Sequence, residues 1–373
     1  MKTAPALKSG KSPRLLNKTD FLIFLFCLTI AKTVFCESVN QNITNTDGIK
    51  KLTENLFPEK KAKPAPACKV LDRATLSKLK ETELGLSLFT QNLVKYLNEN
   101  NEKQFEELFH PRLRNKSENL GTKFFASLRH GYIKPWQFSI YRIFSLFTVN
   151  GDKQDIECPE ENIMITSVYG YHLQIGLWVQ LMSQNELARI YFPIVPAKDK
   201  WYLGGVHIQQ WTFKEKDYEK WVKEASGSLE KGDRLGAFLR LDVAQKMLFG
   251  GNFISFKVKN QIITARDESY KKEDLLKEVS SLIKSSNIVY IGTILGNDGI
   301  GLIIREKIEK DYTTAELEKK CLEMGYALID GHILKPGLGG IKCDFIFEGE
   351  DPGRDGQLGG FYKSRNELLS KRK

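Results

Sequence analysis

Histidine is scarce here, with five in 373 residues, and no two of them form an HExxH pair. The zincin signature is therefore absent, and so is any GxSxG elbow for a serine nucleophile. None of the six cysteines stands at CxxC spacing, which removes the zinc ribbon and the thioredoxin-type redox pair. Apolar runs of membrane-spanning length are missing as well. The longest, at 21–36, has an apolar heart of about 11 residues before Lys32 interrupts it, against about 20 needed to span. Carboxylates hardly occur in the strand-like stretches, where Glu186 sits at a turn, and this counts against proton-shuttle chemistry.

What is present begins with a destination. A basic leader carrying Lys2, Lys8, Lys11, Arg14 and Lys18 precedes the apolar run, the layout of an export signal. Val34 and Cys36 are acceptable −3 and −1 residues for cleavage before Glu37. The alternative is an uncleaved segment holding the chain at a membrane, with Lys32 reaching the surface. The leader 1–36 holds six Lys/Arg against Asp20, so it accounts for about half of the formal charge of +10. The remaining basic residues lie on mixed Lys/Glu faces and do not point to nucleic acid.

Cys27 and Cys36 fall within the leader, leaving Cys68, Cys158, Cys321 and Cys343. An even set in an oxidising compartment predicts two disulfides, with three connectivities open. Pairing within units gives Cys68 with Cys158 and Cys321 with Cys343; four buried thiols are the alternative.

The stretch 37–70 is polar and ends in alternating Pro and Ala, which predicts an extended tether. Apolar residues at helical spacing then predict a helix over 71–98. Asn101 caps a second, Pro111 stops it, and 117–129 reads as a third. From 136 the period drops to two. Strands are expected at 136–149, at 163–182 as one long bent element, at 187–195 and at 201–213.

Three helices followed by long bent strands, closing on KWYLGGVHIQQWTF at 200–213, resemble the nuclear transport factor two-like superfamily. Helix two ending Phe109-His110-Pro111 is similar to many members. Over 71–213 the resemblance implies an α+β fold in which helices pack on a strongly curved, cone-like antiparallel sheet. It also implies a pocket between helices and sheet, lined or rimmed by Tyr141, Tyr169, His172, Trp178, His207 and Gln209. Dimerisation through the outer sheet face, near Trp178 and Gln180, is a further implication.

Beyond 213 the sequence predicts a two-helix linker at 214–250 and a second, smaller α+β domain at 251–363, with a basic tail at 364–373. Within that domain 253–265 reads as a hairpin turning at Lys259-Asn260, 271–284 as a helix, and 288–308 as a hairpin around an Asp-Gly turn. Thr313 or Thr314 caps a helix, and 340–347 is a strand. The glycine-rich 335–340 lacks the Gly-Lys-Ser/Thr ending of a phosphate loop. At 351–356 an incomplete calcium-loop pattern offers only Asp351 and Asp355, with two oxygen ligands missing.

No cofactor is expected. The expected function is that of an exported, non-catalytic protein contacting a protein or small-molecule ligand in the periplasm or at the cell surface. An isomerase or hydrolase using His172, His207 and Tyr141, and a polysaccharide binder, are the alternatives.

Overall fold

The computed structural model describes residues 66–71, 85–149, 151–184, 186–197, 200–296, 298–309, 312–347 and 357–372. The leader, nearly all of the tether, and Asp351 with Asp355 lie outside the described residues. The fold is mixed α+β with mainly antiparallel sheets.

Among the described residues, four helices precede the long strands: α1 (Leu86–Asn98), α2 (Glu102–Glu107), α3 (Pro111–Lys116) and α4 (Leu120–Gly131). Asn101 caps α2 as its sequence predicts, its Oδ1 accepting the Gln104 N–H. Pro111 does not end a helix; it occupies the first turn of α3, where its missing N–H leaves no bond unmade. The tether is shorter than expected, because Ala67–Val70 form strand β1, and Leu71 extends it by donating its N–H to the Ile143 carbonyl rather than starting a helix.

β1 lies at one edge of the main sheet, beside β2 (Trp136–Phe147), β5 (Leu173–Ser183), β6 (Glu186–Ala197) and β7 (Lys200–Leu203), with β8 (His207–Gln210) also pairing with β6. The expected strand over 201–213 is thus two strands. The long strand expected at 163–182 is also divided, and its parts belong to different sheets. Ile163–Thr166 form β4, which pairs with β3 (Asp155–Cys158) and β10 (Ile254–Phe256) in a small second sheet that β9 (Phe249–Gly250) completes. Gly170, at φ +92°, turns the chain between β4 and β5.

The face of the main sheet toward α1–α4 is closed by Phe105, Phe109, Phe124, Phe125 and Phe192, among other apolar residues. The opposite face, carrying Phe144, Trp178 and Tyr191, belongs to one continuous core that runs through the second half of the chain to Leu368. Helices α5 (Tyr218–Glu230) and α6 (Arg234–Met247) are therefore more than a linker. In α6, Ala237, Phe238, Leu239, Leu241, Val243 and Ala244 are all buried, the all-round burial of a central helix.

Next come α7 (Val258–Ser269) and α8 (Lys272–Ile283). The hairpin expected at Lys259-Asn260 is not formed; those residues lie in the first turn of α7. The third sheet runs β11 (Ile288–Gly296), β12 (Gly299–Ile308), β13 (Gly340–Phe347), β14 (Gln357–Ser364). Gly296 faces Gly299 across the expected β11–β12 turn. The β12–β13 pair is parallel and needs a crossover, which α9 (Thr314–Asp330) supplies behind its Thr313–Glu316 capping box. The basic tail is structured: α10 (Arg365–Lys371) buries Leu368 against Gly325 of α9.

Both expected disulfides are present. Cys68–Cys158 links the edge of the main sheet to the small sheet, and Cys321–Cys343 pins α9 to β13, with Cα–Cα separations of 5.2 and 5.7 Å. At the centre, α6, α7 and β11 meet at Asp242, whose carboxylate takes Arg266, Lys246 and the Thr293 hydroxyl. No helix among the described residues is long and apolar enough to cross a membrane.

Candidate functional site

The pleat sends alternate residues of a strand to opposite faces. On β5 and β6 this turns Leu177, Val179, Ile190 and Phe192 toward the helices, and Trp178, Arg189 and Tyr191 away from them. Trp178 pairs across strands with Tyr191, and Tyr191 with His207; Arg189 pairs with Gln209. Four of the six pocket candidates, Tyr141, Trp178, His207 and Gln209, therefore gather on one sheet face, but it is the face opposite the helix–sheet interface.

Tyr141 joins this face through a bulge. Ile140 stands opposite Val179 and Arg142 opposite Trp178, so Tyr141 is an extra residue in β2. A bulge re-aims the side chain it inserts. The Tyr141 ring comes to lie 3.9 Å from the Arg189 guanidinium carbon, with Trp211 at 3.3 Å and Trp178 at 5.3 Å. Phe256 stacks on Trp178 from β10, and the half-buried Tyr218 of α5 meets the Trp211 edge.

Arg189 is 8% exposed, and its Nε has no hydrogen-bond partner. Burial pulls its pKa down to about 10 while Tyr141 and Glu161 favour the charged form, so it remains a cation at neutral pH. The acid that favours its charge is engaged by another arginine. Glu161 pairs with Arg142 at 2.7 Å, and Arg142 lies over the same Tyr141 ring at 4.9 Å. A side-chain hydrogen bond with Tyr141 also favours the cation, and the ring electrons add an offset worth about 2 kcal/mol for a desolvated pair. Other polar atoms of this layer are also unpartnered: Trp178 Nε1, the Tyr191 hydroxyl and Gln209 Oε1.

The remaining sequence candidates divide into clamps and surface residues. His207 Nε2 donates to the Phe249 carbonyl at 2.9 Å and Gln209 Nε2 to the Met247 carbonyl, so both fasten β8 to the end of α6 and β9. Burial holds the His207 pKa below its ordinary value. Tyr169 is exposed in the turn after β4, and His172 is exposed with Nδ1 3.3 Å from the Thr148 carbonyl. Trp178 is only 1% exposed beneath Phe256, so the dimer face expected there is occupied by the chain's own second half.

A second polar group was not foreseen as a site. His110 caps α3, its Nδ1 accepting the Arg112 N–H, which leaves Nε2 as the protonated nitrogen facing the Tyr171 hydroxyl at 3.2 Å. The Tyr202 ring closes against it. Burial, then Arg112 and Arg114, lower the His110 pKa, and burial raises that of Tyr171.

Arg189 and Trp211 escaped sequence reading because a lone arginine in an alternating strand reads as a solvent-facing residue. The signal was the cross-strand set: Tyr141, Trp178 and Trp211 all fall on the parity of Arg189 once the bulge is placed. Among the described residues, no three of His, Cys, Asp and Glu stand together where a metal ion could be held. No family model, no curated protein and no solved structure matches this chain.

Proposed function

We propose that this chain is an exported, non-catalytic binding protein of the periplasm or cell surface, and that the half-exposed edge of the Arg189 cluster, at Tyr141, Trp211 and Tyr218, is where it contacts its protein or small-molecule ligand. The observation that carries the reading is the buried Arg189 cation, which has no ion-pair partner among the described residues and is framed by Tyr141, Trp178 and Trp211. Arg, Trp and Tyr are the residues that dominate binding hot spots. Two disulfides support export, since such bonds persist in oxidising compartments. The order of α1–α4 before the antiparallel strands β2 and β5–β8 supports reading the first half as a cone-shaped, nuclear transport factor two-like unit.

A photo-reactive phenylalanine analogue at position 141, compared with one at the exposed Leu88 of α1, tests this in the cell envelope. The expected result is a defined adduct from position 141 that disappears on Arg189→Met, with none from position 88. Identical adducts from both positions, or an adduct indifferent to Arg189, would contradict it.

A small-molecule isomerase or hydrolase is favoured by one arrangement only, the His110–Tyr171 pair. In that case His110→Ala and Tyr171→Phe each remove turnover, while His172→Ala does not.

A further inference from the structure

We infer that His110 is a proton-operated latch: uptake of a proton on its Nδ1 uncaps α3 and loosens that helix from the turn that carries Tyr171. The inference is independent of the binding face. The ring uses its two nitrogens in opposite senses. Nδ1 accepts the Arg112 N–H at 3.2 Å, and Nε2 faces the Tyr171 hydroxyl at 3.2 Å. Only a neutral ring with its hydrogen on Nε2 can accept at one nitrogen and donate at the other. The backbone of the same residue ties α3 to β7, because the His110 N–H donates to the Leu203 carbonyl.

Protonation makes Nδ1 a donor, so that N–H would then point at N–H. Within this turn Pro111 has no N–H, and Leu113 and Arg114 donate to the His110 carbonyl, so Arg112 supplies the amide that bonds the imidazole. The charges acting on the ring are the guanidinium groups of Arg112 and Arg114, which repel an imidazolium. The groups packed on it from other elements, Tyr171 before β5 and Tyr202 of β7, are phenols rather than carboxylates. No anion therefore holds the charged ring in place among the described residues. The half-buried ring relieves the clash by swinging toward water, which breaks its contact with Tyr171, or the first turn of α3 opens around it. His172 and His207 differ in this respect. Their hydrogen bonds go to the Thr148 and Phe249 carbonyls, and an imidazolium still makes them.

The test follows the His110 ring and the α3 amides together by NMR, in the full chain labelled with 15N and 13C, from about pH 7.5 to about pH 4.5. At the upper end the ring nitrogens should show hydrogen on Nε2 and none on Nδ1. The ring should titrate below the ordinary histidine value, as burial and the two arginines dictate. Over the same range the exchange protection of the Arg112, Leu113 and Arg114 amides, corrected for the pH dependence of free-peptide exchange, should fall about fivefold, the usual worth of an N-cap side chain. Amides of β5 and β6 should keep theirs. His110→Asn caps the turn with an oxygen that does not titrate here, and should hold the α3 protection constant. The inference is overturned if hydrogen sits on Nδ1 at the upper end, if the α3 amides keep their protection while the ring titrates, or if His110→Asn shows the same fall. Should that variant not fold, the wild-type midpoints decide: ring and α3 amides titrating together support the latch, and separate midpoints contradict it.

Discussion

The guanidinium carbon of Arg189 lies 3.3 Å from the centre of the Trp211 ring, and among the described residues no carboxylate forms an ion pair with it. Aromatic rings thus frame a buried cation, with the bulged Tyr141 against it and hydrogen-bonded to it. Trp211→Leu removes one of those rings and uncovers the charge. The expected loss is about 2 kcal/mol of unfolding free energy, and Trp211→Phe, which keeps a ring, loses less. Urea titrations of the three proteins check the order.

The disulfides differ in the loop they close, at separations of 90 and 22 residues. Loop-closure entropy gives about 4–5 kcal/mol for Cys68–Cys158 and about 3 kcal/mol for Cys321–Cys343. The paired Cys→Ser variants should rank in that order in urea. Thiol titration of the unfolded, unreduced wild-type protein should find neither pair free.

Asp242 joins three elements through Lys246, Arg266 and Thr293, and its carboxylate is held below the usual range by those partners despite its burial. Removing it leaves Lys246 and Arg266 without their shared anion. Asp242→Ala is expected to cost about 3 kcal/mol, the scale for breaking a buried pair from one side. Asp242→Leu combined with Lys246→Met should recover part of that loss, because the second change removes one stranded charge.

Histidine sets the acid response before any carboxylate does. Burial lowers the pKa of His207 and of His110 in the folded chain, so unfolded imidazoles take up protons near pH 6.5 while the folded ones resist. Stability is complete above about pH 6.5 and falls as pH drops from there toward the lowered folded values. Urea midpoints at pH 7.5 and 5.5 should show the decline, and His207→Gln should make it shallower. Asp242, whose folded pKa is depressed, adds a second loss only below about pH 4.

Much of the first half was legible because one face of each element is buried. Alternation located β2 and β6, the spacing of Leu86, Leu93 and Leu97 located α1, and Asn101 marked the start of α2. The stretch 163–182 misled because Ile163–Thr166 and Leu173–Ser183 are each buried strands, and their alternation runs on through the Gly170 turn into a different sheet. Helix α6 could not show its central place by period, since nearly every side is buried. Of the residues expected to line a helix–sheet pocket, Tyr141, Trp178, His207 and Gln209 lie together on the sheet face opposite the helices. The bulge at Tyr141 and the cation at Arg189 are tertiary facts, visible only once β2, β5, β6 and Trp211 lie side by side.

The free energy of unfolding of Arg189→Met tests most directly whether this cation serves binding. A buried charge without a carboxylate partner contributes little to stability, and an apolar chain of similar length replaces it at small cost. The prediction is a unfolding free energy within about 1 kcal/mol of the parent, together with loss of the position-141 adduct. A fall of about 3 kcal/mol or more, the scale for breaking a buried pair, would contradict the account and make Arg189 a structural cation.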